Sequence, residues 1–107
     1  MTDIINITGI AENIGCEQND IKRLVSLFFS SAETTLEKYK SGVDANDIDT
    51  IYKAAHTLKG SAGTIGLTLL QNYALEVETA ARNNENYDFA SAYNHFKDMI
   101  ASITVTE

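Results

Sequence analysis

The chain of 107 residues contains no proline, the residue that most strongly interrupts a helix. Its apolar residues recur at steps of three and four, which places them along one face of a helix. No segment alternates apolar and polar residues as a half-buried strand does. These features predict an all-α fold, and the length corresponds to a single domain over residues 1–107.

Five helices are predicted; the last four each have one apolar stripe, and the pattern of the short first helix is weak. Their expected ranges are residues 5–14, 20–41, 46 or 47 to 62, 67–82 and 87–103. We expect Gly42 to end the second helix, because glycine often follows the last helical turn. The apolar stripe of that helix is expected to be Ile21, Leu24, Phe28, Ala32, Leu36 and Tyr39. Short loops join the last four helices, which predicts an antiparallel four-helix bundle with a short additional N-terminal helix.

The charge balance narrows the classes of partner. Eight lysines and arginines face fifteen acidic residues, for a net charge of −7. That charge repels phosphate backbones and anionic lipid, so neither nucleic acid nor a membrane surface is expected as a partner. The N-terminal residues show neither the basic segment nor the continuous apolar segment of a signal peptide, and no apolar run has bilayer length, so we expect the chain in the cytoplasm. Cys16 is the single cysteine, so no disulfide within the chain is expected.

Acidic residues are missing from one part of the chain. Positions 50–75 hold none, whereas about four would be expected at the average density. The same window contains Lys53, His56 and Lys59. This distribution predicts a site that favours an anion.

The residues of this window do not match the common cofactor motifs. Gly60, Gly63 and Gly66 recur every third position, which is neither a dinucleotide fingerprint nor a P-loop. His56 and His95 lack the Glu-x-x-His spacing of di-metal bundles, and no cysteine accompanies them. We therefore expect no metal and no cofactor of the chain's own.

His56 does not belong to the apolar stripe of the third helix. At about 100° per residue, it falls roughly 120° from the centre of that stripe, at the solvent edge. Tyr52, Lys59, Gly60 and Gly63 lie on the same side. Each glycine inside a helix costs roughly 0.5–1 kcal/mol relative to alanine, so two of them beside one ring require an explanation. Bare backbone would let another molecule approach the imidazole closely, and Lys59 would supply a positive charge.

Such an arrangement suits phosphoryl transfer to the imidazole. A neutral imidazole is a good nucleophile at neutral pH, and the phosphoryl donor must approach it in line. The chain has no motif that would hold a nucleotide, so the donor has to supply its own metal and catalysis.

The twelve residues 55–66, AHTLKGSAGTIG, resemble the histidine-containing phosphotransfer (HPt) domain family. The family pattern is His-x-Leu-Lys-Gly followed by small residues and a further glycine. The resemblance implies a four-helix bundle in which His56 accepts the phosphoryl group. It also implies that Lys59 assists that group and that Gly60 stays small so that a receiver domain can reach the ring.

Family members often carry a Glu or Gln 22 residues after the histidine, where it binds Nδ1 of the ring. That position is Glu78 here. A hairpin of two helices places Gln71 to Leu75 nearer to His56 in height, so Gln71 stays open as an alternative. Arg82 matches a basic residue found one turn further on in some members; an ion pair with Glu78 would be its ordinary role. Tyr52, Gly60, Gly63, Gln71 and Arg82 are the expected partner-binding residues.

The resemblance implies a phosphorelay intermediate of two-component signal transduction. His56 would take a phosphoryl group from a receiver-domain aspartyl phosphate and pass it to another receiver aspartate. The expected partners are response-regulator receiver domains, with Mg²⁺ bound on the receiver, and a hybrid sensor histidine kinase. The chain would be a monomeric carrier without kinase activity of its own, either free-standing or excised from a larger protein. Two alternatives stay open: an accepting domain served by a separate histidine kinase domain, and a receiver-binding module that takes no phosphate.

Overall fold

The computed structural model describes residues 2–107 and contains five helices and two short strands over that range. In chain order the elements are β1 (Ile4–Asn6), α1 (Ile7–Ile14), α2 (Gln18–Asp44), α3 (Ile48–Thr64), α4 (Thr68–Arg82), α5 (Phe89–Ala101) and β2 (Thr104–Thr106). Helices α2 to α5 pack as the four-helix bundle, and α1 precedes them along α2. The predicted all-α bundle with an additional N-terminal helix is therefore confirmed.

Side chains at the helix starts explain several of the boundaries. The carboxylate of Asp47 accepts a hydrogen bond from the backbone N–H of Thr50 at 3.3 Å and begins α3. Asp88 accepts one from Ser91 at 3.0 Å, so α5 begins after it rather than at Tyr87. Both are N-caps that satisfy backbone donors without a partner inside the helix.

The expected end of α2 at Gly42 is wrong. The helix continues to Asp44, and Gly42 is buried inside it. A Cβ at Gly42 would lie 3.0 Å from the side chain of Thr50 and 3.1 Å from the backbone of Ile51. The glycine thus permits close packing of α2 against the start of α3, and it does not terminate the helix.

The ends of the chain form a small parallel sheet that the sequence pattern does not predict. Ile4 pairs with Thr104, Ile5 with Val105, and Asn6 with Thr106. Residues 5 and 6 therefore belong to a strand and not to the first helix, and α5 ends before residue 102. Strands of three residues are too short to show an alternating pattern, so only their pairing in three dimensions reveals them.

The bundle core consists largely of the predicted stripes. One tyrosine, one phenylalanine and several leucines and isoleucines are fully buried. The largest of these side chains are Tyr39, Phe96, Ile5, Ile21, Leu58, Leu67 and Leu70. Leu24 is the exception, because it is 39% exposed while Val25 takes the buried position. The buried face of α2 is therefore rotated away from Leu24 at this level of the helix.

Within residues 2–107, none of the helices combines the length and the apolar character needed to cross a bilayer. The same residues contain no group of three or more histidine, cysteine or acidic side chains placed to hold a metal ion.

Candidate functional site

His56 lies on the outward face of α3, and its side chain is 59% exposed. Its Nδ1 is 2.8 Å from Oε1 of Glu78 on α4. A carboxylate can only accept here, so the ring donates its Nδ1 proton and the lone pair is left on Nε2. No side chain in the described part of the chain makes a hydrogen bond to Nε2.

Glu78 is a buried carboxylate with two partners. Its side chain is only 3% exposed, and the second oxygen, Oε2, lies 2.7 Å from Nζ of Lys59. This distance makes the contact between Lys59 and Oε2 a short ion pair. Burial raises the pKa of Glu78, but the Lys59 ammonium and then the His56 ring outweigh it and hold the pKa below its usual value. The carboxylate is therefore ionised at neutral pH, although it is buried.

The acid-free window does not produce the expected excess of positive charge. Lys53 pairs with Asp49 at 2.9 Å, and Lys59 pairs with Glu78 at 2.7 Å. Both acids lie just outside the window in sequence, yet they fold back onto its two lysines. The immediate surroundings of His56 are thus close to neutral.

The register between α3 and α4 decides which residue of α4 meets the ring. His56 faces Glu78, and the amide of Gln71 lies over Gly63. Both pairs are centred on Leu67, because α3 runs to Thr64 and α4 begins only at Thr68. Residues 71–75 would lie level with His56 only if the turn between α3 and α4 came earlier in the chain. In the structure Glu78 holds the ring, and Gln71 lies two helical turns away.

The two glycines beside the ring have different surroundings. A Cβ built at Gly60 would have no atom within 4 Å, so nothing inside the domain requires a glycine there. A Cβ at Gly63 would lie 2.6 Å from Nε2 of Gln71. The lack of a Cβ at Gly63 makes room for Gln71, whereas the lack of a Cβ at Gly60 leaves the surface beside His56 open.

Tyr52 and Arg82 flank the other side of the ring. The Tyr52 ring is stacked on the His56 ring, with centroids 6.1 Å apart and planes at 15°. Arg82 is exposed and lines a shallow depression together with Tyr52 and Asp49. The ion pair between Arg82 and Glu78 does not form within residues 2–107, because the carboxylate points to Lys59 instead. His95, the second histidine, is an exposed residue of α5 that lies against Tyr73 and away from this site.

The site's sequence context also matches a known family. Residues 23–104 match the family model described as Hpt domain, which covers most of the chain. The chain belongs to the Hpt domain family. It is accordingly a histidine phosphotransfer domain of the kind found in two-component signalling.

Two curated proteins are similar to this Hpt domain. It is 27% identical over 99 residues to chemotaxis protein CheA of Rhizobium meliloti, covering 79% of the chain and 13% of that protein. It is 30% identical over 95 residues to chemotaxis protein CheA of Salmonella typhimurium, covering 76% of the chain and 14% of that protein. The chain thus spans about one seventh of the length of these relatives. No solved structure gives a significant match.

One feature near the site is not predicted by the helical periodicity. Leu24 and Leu27 on α2 are 39% and 61% exposed and frame a groove against the end of α3. The spacing of Leu24 from Ile21 and Phe28 fits the apolar stripe and predicts a buried residue, but the structure leaves it exposed. A narrower stripe that includes Val25 would have placed Leu24 outside the core.

Proposed function

We propose that this Hpt domain carries a phosphoryl group on Nε2 of His56. It takes the group from the aspartyl phosphate of a receiver domain and passes it to the aspartate of another receiver. The observation that carries the proposal is the state of the ring: Nδ1 is bound to a buried, ionised carboxylate, while the side chain is 59% exposed and its Nε2 has no hydrogen-bond partner among the described residues.

Glu78 would prepare the ring as a nucleophile. By accepting a hydrogen bond from Nδ1–H, its carboxylate selects one tautomer and orients the ring, which leaves the reactive lone pair on Nε2. In the transfer, Nε2 forms a bond to phosphorus, the bond from phosphorus to the aspartyl oxygen breaks, and the aspartate leaves as a carboxylate. The ring keeps its Nδ1 proton and becomes cationic, and the negative charge of Glu78 balances it.

Lys59 would stabilise the transferred group. In the unphosphorylated domain its ammonium is paired with the carboxylate of Glu78, and its side chain is 28% exposed. Lys59 lies one helical turn after His56, so a phosphoryl group on Nε2 brings negative oxygens within its reach. Positive charge placed where the transferred oxygens gather negative charge lowers the barrier to phosphoryl transfer.

The partner would supply the remaining catalytic groups. The chain has no motif for a nucleotide, so we expect no kinase activity of its own. We expect the Mg²⁺ that neutralises the transferring phosphoryl group to be bound by the receiver. On this proposal the Hpt domain contributes the nucleophile, its orientation and an open surface, and it acts as a monomer.

A second candidate function is favoured by the relatives. Both curated matches are chemotaxis proteins named CheA, and the match covers only a small part of each. In this version the same His56 receives phosphate from ATP through a separate histidine kinase domain. The chemistry at Nε2 is unchanged, and only the donor differs.

A module that binds receivers without taking phosphate is the remaining alternative.

A labelling experiment tests the proposal. The domain is incubated with ³²P-labelled receiver domain and, in parallel, with a histidine kinase domain and labelled ATP. We expect label that is lost in acid and kept in alkali, as for phosphohistidine, and the donor that transfers faster identifies the function. His56→Gln should abolish the label, and His95→Gln is the matched control that should retain it. Label that persists in His56→Gln would contradict the assignment.

A further inference from the structure

A polar cavity lies between α2 and the first half of α3, and the proposed function uses none of the side chains around it. Its volume is about 260 Å³, and two lysines and three threonines make up most of its lining: Thr35, Lys38, Thr50, Lys53, Ala54 and Thr57. Among residues 2–107, no acidic side chain belongs to this lining. In a chain with a net charge of −7, such a hollow is a place where an anion meets little repulsion.

Thr35 supplies an unused hydroxyl inside the cavity. The hydroxyl of Thr50 donates to the carboxylate of Asp47 at 2.7 Å, and that of Thr57 donates to the backbone carbonyl of Lys53 at 3.0 Å. Thr35 has no such partner in the described part of the chain, although the residue is only 6% exposed. Its oxygen is not sealed off from solvent, so it is reached through the cavity that it lines. A buried hydroxyl without a partner is costly, and a ligand in the cavity would supply one.

Lys38 brings an unpaired cation to the same cavity. Within residues 2–107 its ammonium forms no ion pair, and no acidic residue lies three or four positions away from it on α2. Lys40 on the same helix, by contrast, pairs with Asp44 at 3.2 Å. The charge of Lys38 is therefore available to an anion that enters the cavity.

Lys53 provides the second cation from the opposite helix. It pairs with Asp49 at 2.9 Å, but the two side chains are 72% and 68% exposed. Ion pairs with this exposure contribute little to stability, so an anion in the cavity can compete with Asp49 for the ammonium. Lys53 also belongs to the window without acidic residues, positions 50–75, whose expected anion site is not formed by the neutral surroundings of His56.

This set of groups suits a phosphate dianion. Lysine ammonium groups bind phosphate as point charges, and a hydroxyl that donates to a charged oxygen makes a strong hydrogen bond. A doubly charged oxyanion can meet both ammonium groups and the hydroxyl at once, whereas a carboxylate offers a single charge. The cavity is slightly smaller than the roughly 300–1,000 Å³ of most small-molecule sites, so the ligand has to be small.

We propose that the cavity between α2 and α3 binds a small phosphate dianion, either orthophosphate or the phosphate group of a small phosphomonoester. Lys38 and Lys53 supply the opposite charge, and Thr35 donates a hydrogen bond to a phosphate oxygen. The site is separate from the His56 ring, and the inference does not depend on the proposed function.

The test is an NMR titration of the full ¹⁵N-labelled chain at pH 7.5, where the phosphate group is mostly a dianion. Sodium phosphate is used in one arm and glycerol phosphate in the other, and sodium chloride keeps the ionic strength constant. We expect the backbone amides of Thr35, Lys38 and Lys53 to shift and to saturate in at least one arm. The arm that saturates at the lower concentration identifies the source of the phosphate group.

Three variants of the full chain locate the bound anion. Lys38→Gln should weaken binding roughly tenfold, because it removes a charged hydrogen-bond donor. Thr35→Val should weaken it roughly threefold or more, and without phosphate it should keep its thermal stability because only an unpartnered hydroxyl is lost. Lys40→Gln is the matched control, since it makes the same change of charge on α2 outside the cavity lining, and it should bind within about twofold of the unaltered chain.

Several outcomes would overturn the site. One is a shift that grows with concentration without saturating in both arms, and another is unchanged binding in Lys38→Gln. An equal loss in Lys40→Gln would also overturn it, because the overall charge rather than the cavity would then attract phosphate. If neither phosphate shifts these amides but a receiver domain does, the cavity binds acidic groups of a partner and the inference is wrong. The labelling of His56 is measured separately, so none of these results decides the proposed function.

Discussion

At the scale of single residues, Glu78 connects the groups of the site. One oxygen of its carboxylate meets the ring of His56, and the other meets the ammonium of Lys59. The carboxylate is buried, and burial alone would favour its neutral form. The two partners reverse that preference, so the orientation of the ring depends on a charge that Lys59 keeps in place.

The lowered pKa of Glu78 predicts a pH dependence of stability. In the unfolded chain the carboxyl takes up its proton at about pH 4.3, whereas in the folded domain it does so at lower pH. The stabilisation is therefore fully present above this range and is lost as the pH falls through the folded pKa. Urea unfolding at pH 5 and pH 3 should show the free-energy difference between the unaltered chain and Glu78→Gln shrink at the lower pH. A difference that is constant or grows would contradict the assigned ion pair.

Gly60 predicts an unusual combination of effects. In Gly60→Gln the new Cβ has open space, with no atom within 4 Å, and a glycine inside a helix is replaced by a better helix former. The free energy of unfolding should rise by roughly 0.5 kcal/mol, while phosphoryl transfer with a receiver slows because the surface beside His56 is covered. Denaturant unfolding and transfer rates measured on the same preparation check the rise in stability and the fall in transfer rate. Unchanged transfer would show that partners do not approach across Gly60.

At the scale of elements, the α3–α4 hairpin carries the site and α2 supports it. The cap at Asp47 fixes where α3 starts, and the turn around Leu67 fixes which residues of α4 lie opposite it. Helix α2 packs along α3 and is the longest element, with 27 residues. Close approach of α2 to the first turn of α3 depends on Gly42.

Gly42→Ala should destabilise the domain although alanine is the better helix former. The added Cβ would be 3.0–3.1 Å from the side chains and backbone of Thr50 and Ile51, and the backbone cannot move aside cheaply. Overpacking of this kind costs about 1–3 kcal/mol, which exceeds the gain of about 1 kcal/mol in helix propensity. Chemical denaturation measures the change, and Gly60→Ala is the matched control, which should be stabilising. An increase in stability for Gly42→Ala would contradict the close contact.

At the scale of the whole molecule, the two ends of the chain are joined to the bundle and to each other. Strand β1 pairs with β2, and Lys22 forms an ion pair with Glu107 at 2.8 Å. The carboxylate of Asp3 accepts hydrogen bonds from the backbone N–H groups of Leu69 and Leu70 at 3.1 and 2.9 Å. Leu67, which precedes helix α4, has no side chain that could cap it. Asp3, more than sixty positions away in the chain, caps the helix instead. Strand β1 and helix α1 lie before the range that matches the family model.

Asp3→Ala should therefore destabilise the domain through α4. Two backbone donors lose their acceptor, and the loss of an N-cap costs roughly 0.5–2 kcal/mol. The melting temperature should fall by about 4–8 °C for each kcal/mol, as measured by circular dichroism. Asp3→Asn, which keeps one acceptor oxygen, should lose less than Asp3→Ala. Equal stability of Asp3→Ala and the unaltered chain would show that the first turn of α4 does not depend on the N-terminal segment.

The sequence by itself determined the helices, their apolar faces and the exposure of His56, because helical periodicity acts over a few neighbouring residues. The resemblance of residues 55–66 to the HPt family was also a local property and pointed to the correct family. Only the tertiary structure decided that Glu78 rather than Gln71 meets the ring, that Gly60 is open while Gly63 is covered, and that Lys59 is paired at rest. It also decided the pairing of β1 with β2, the packing role of Gly42 and the exposure of Leu24. Each of these depends on the register between separate elements, which is set by packing across the bundle and leaves no periodic signal in the chain.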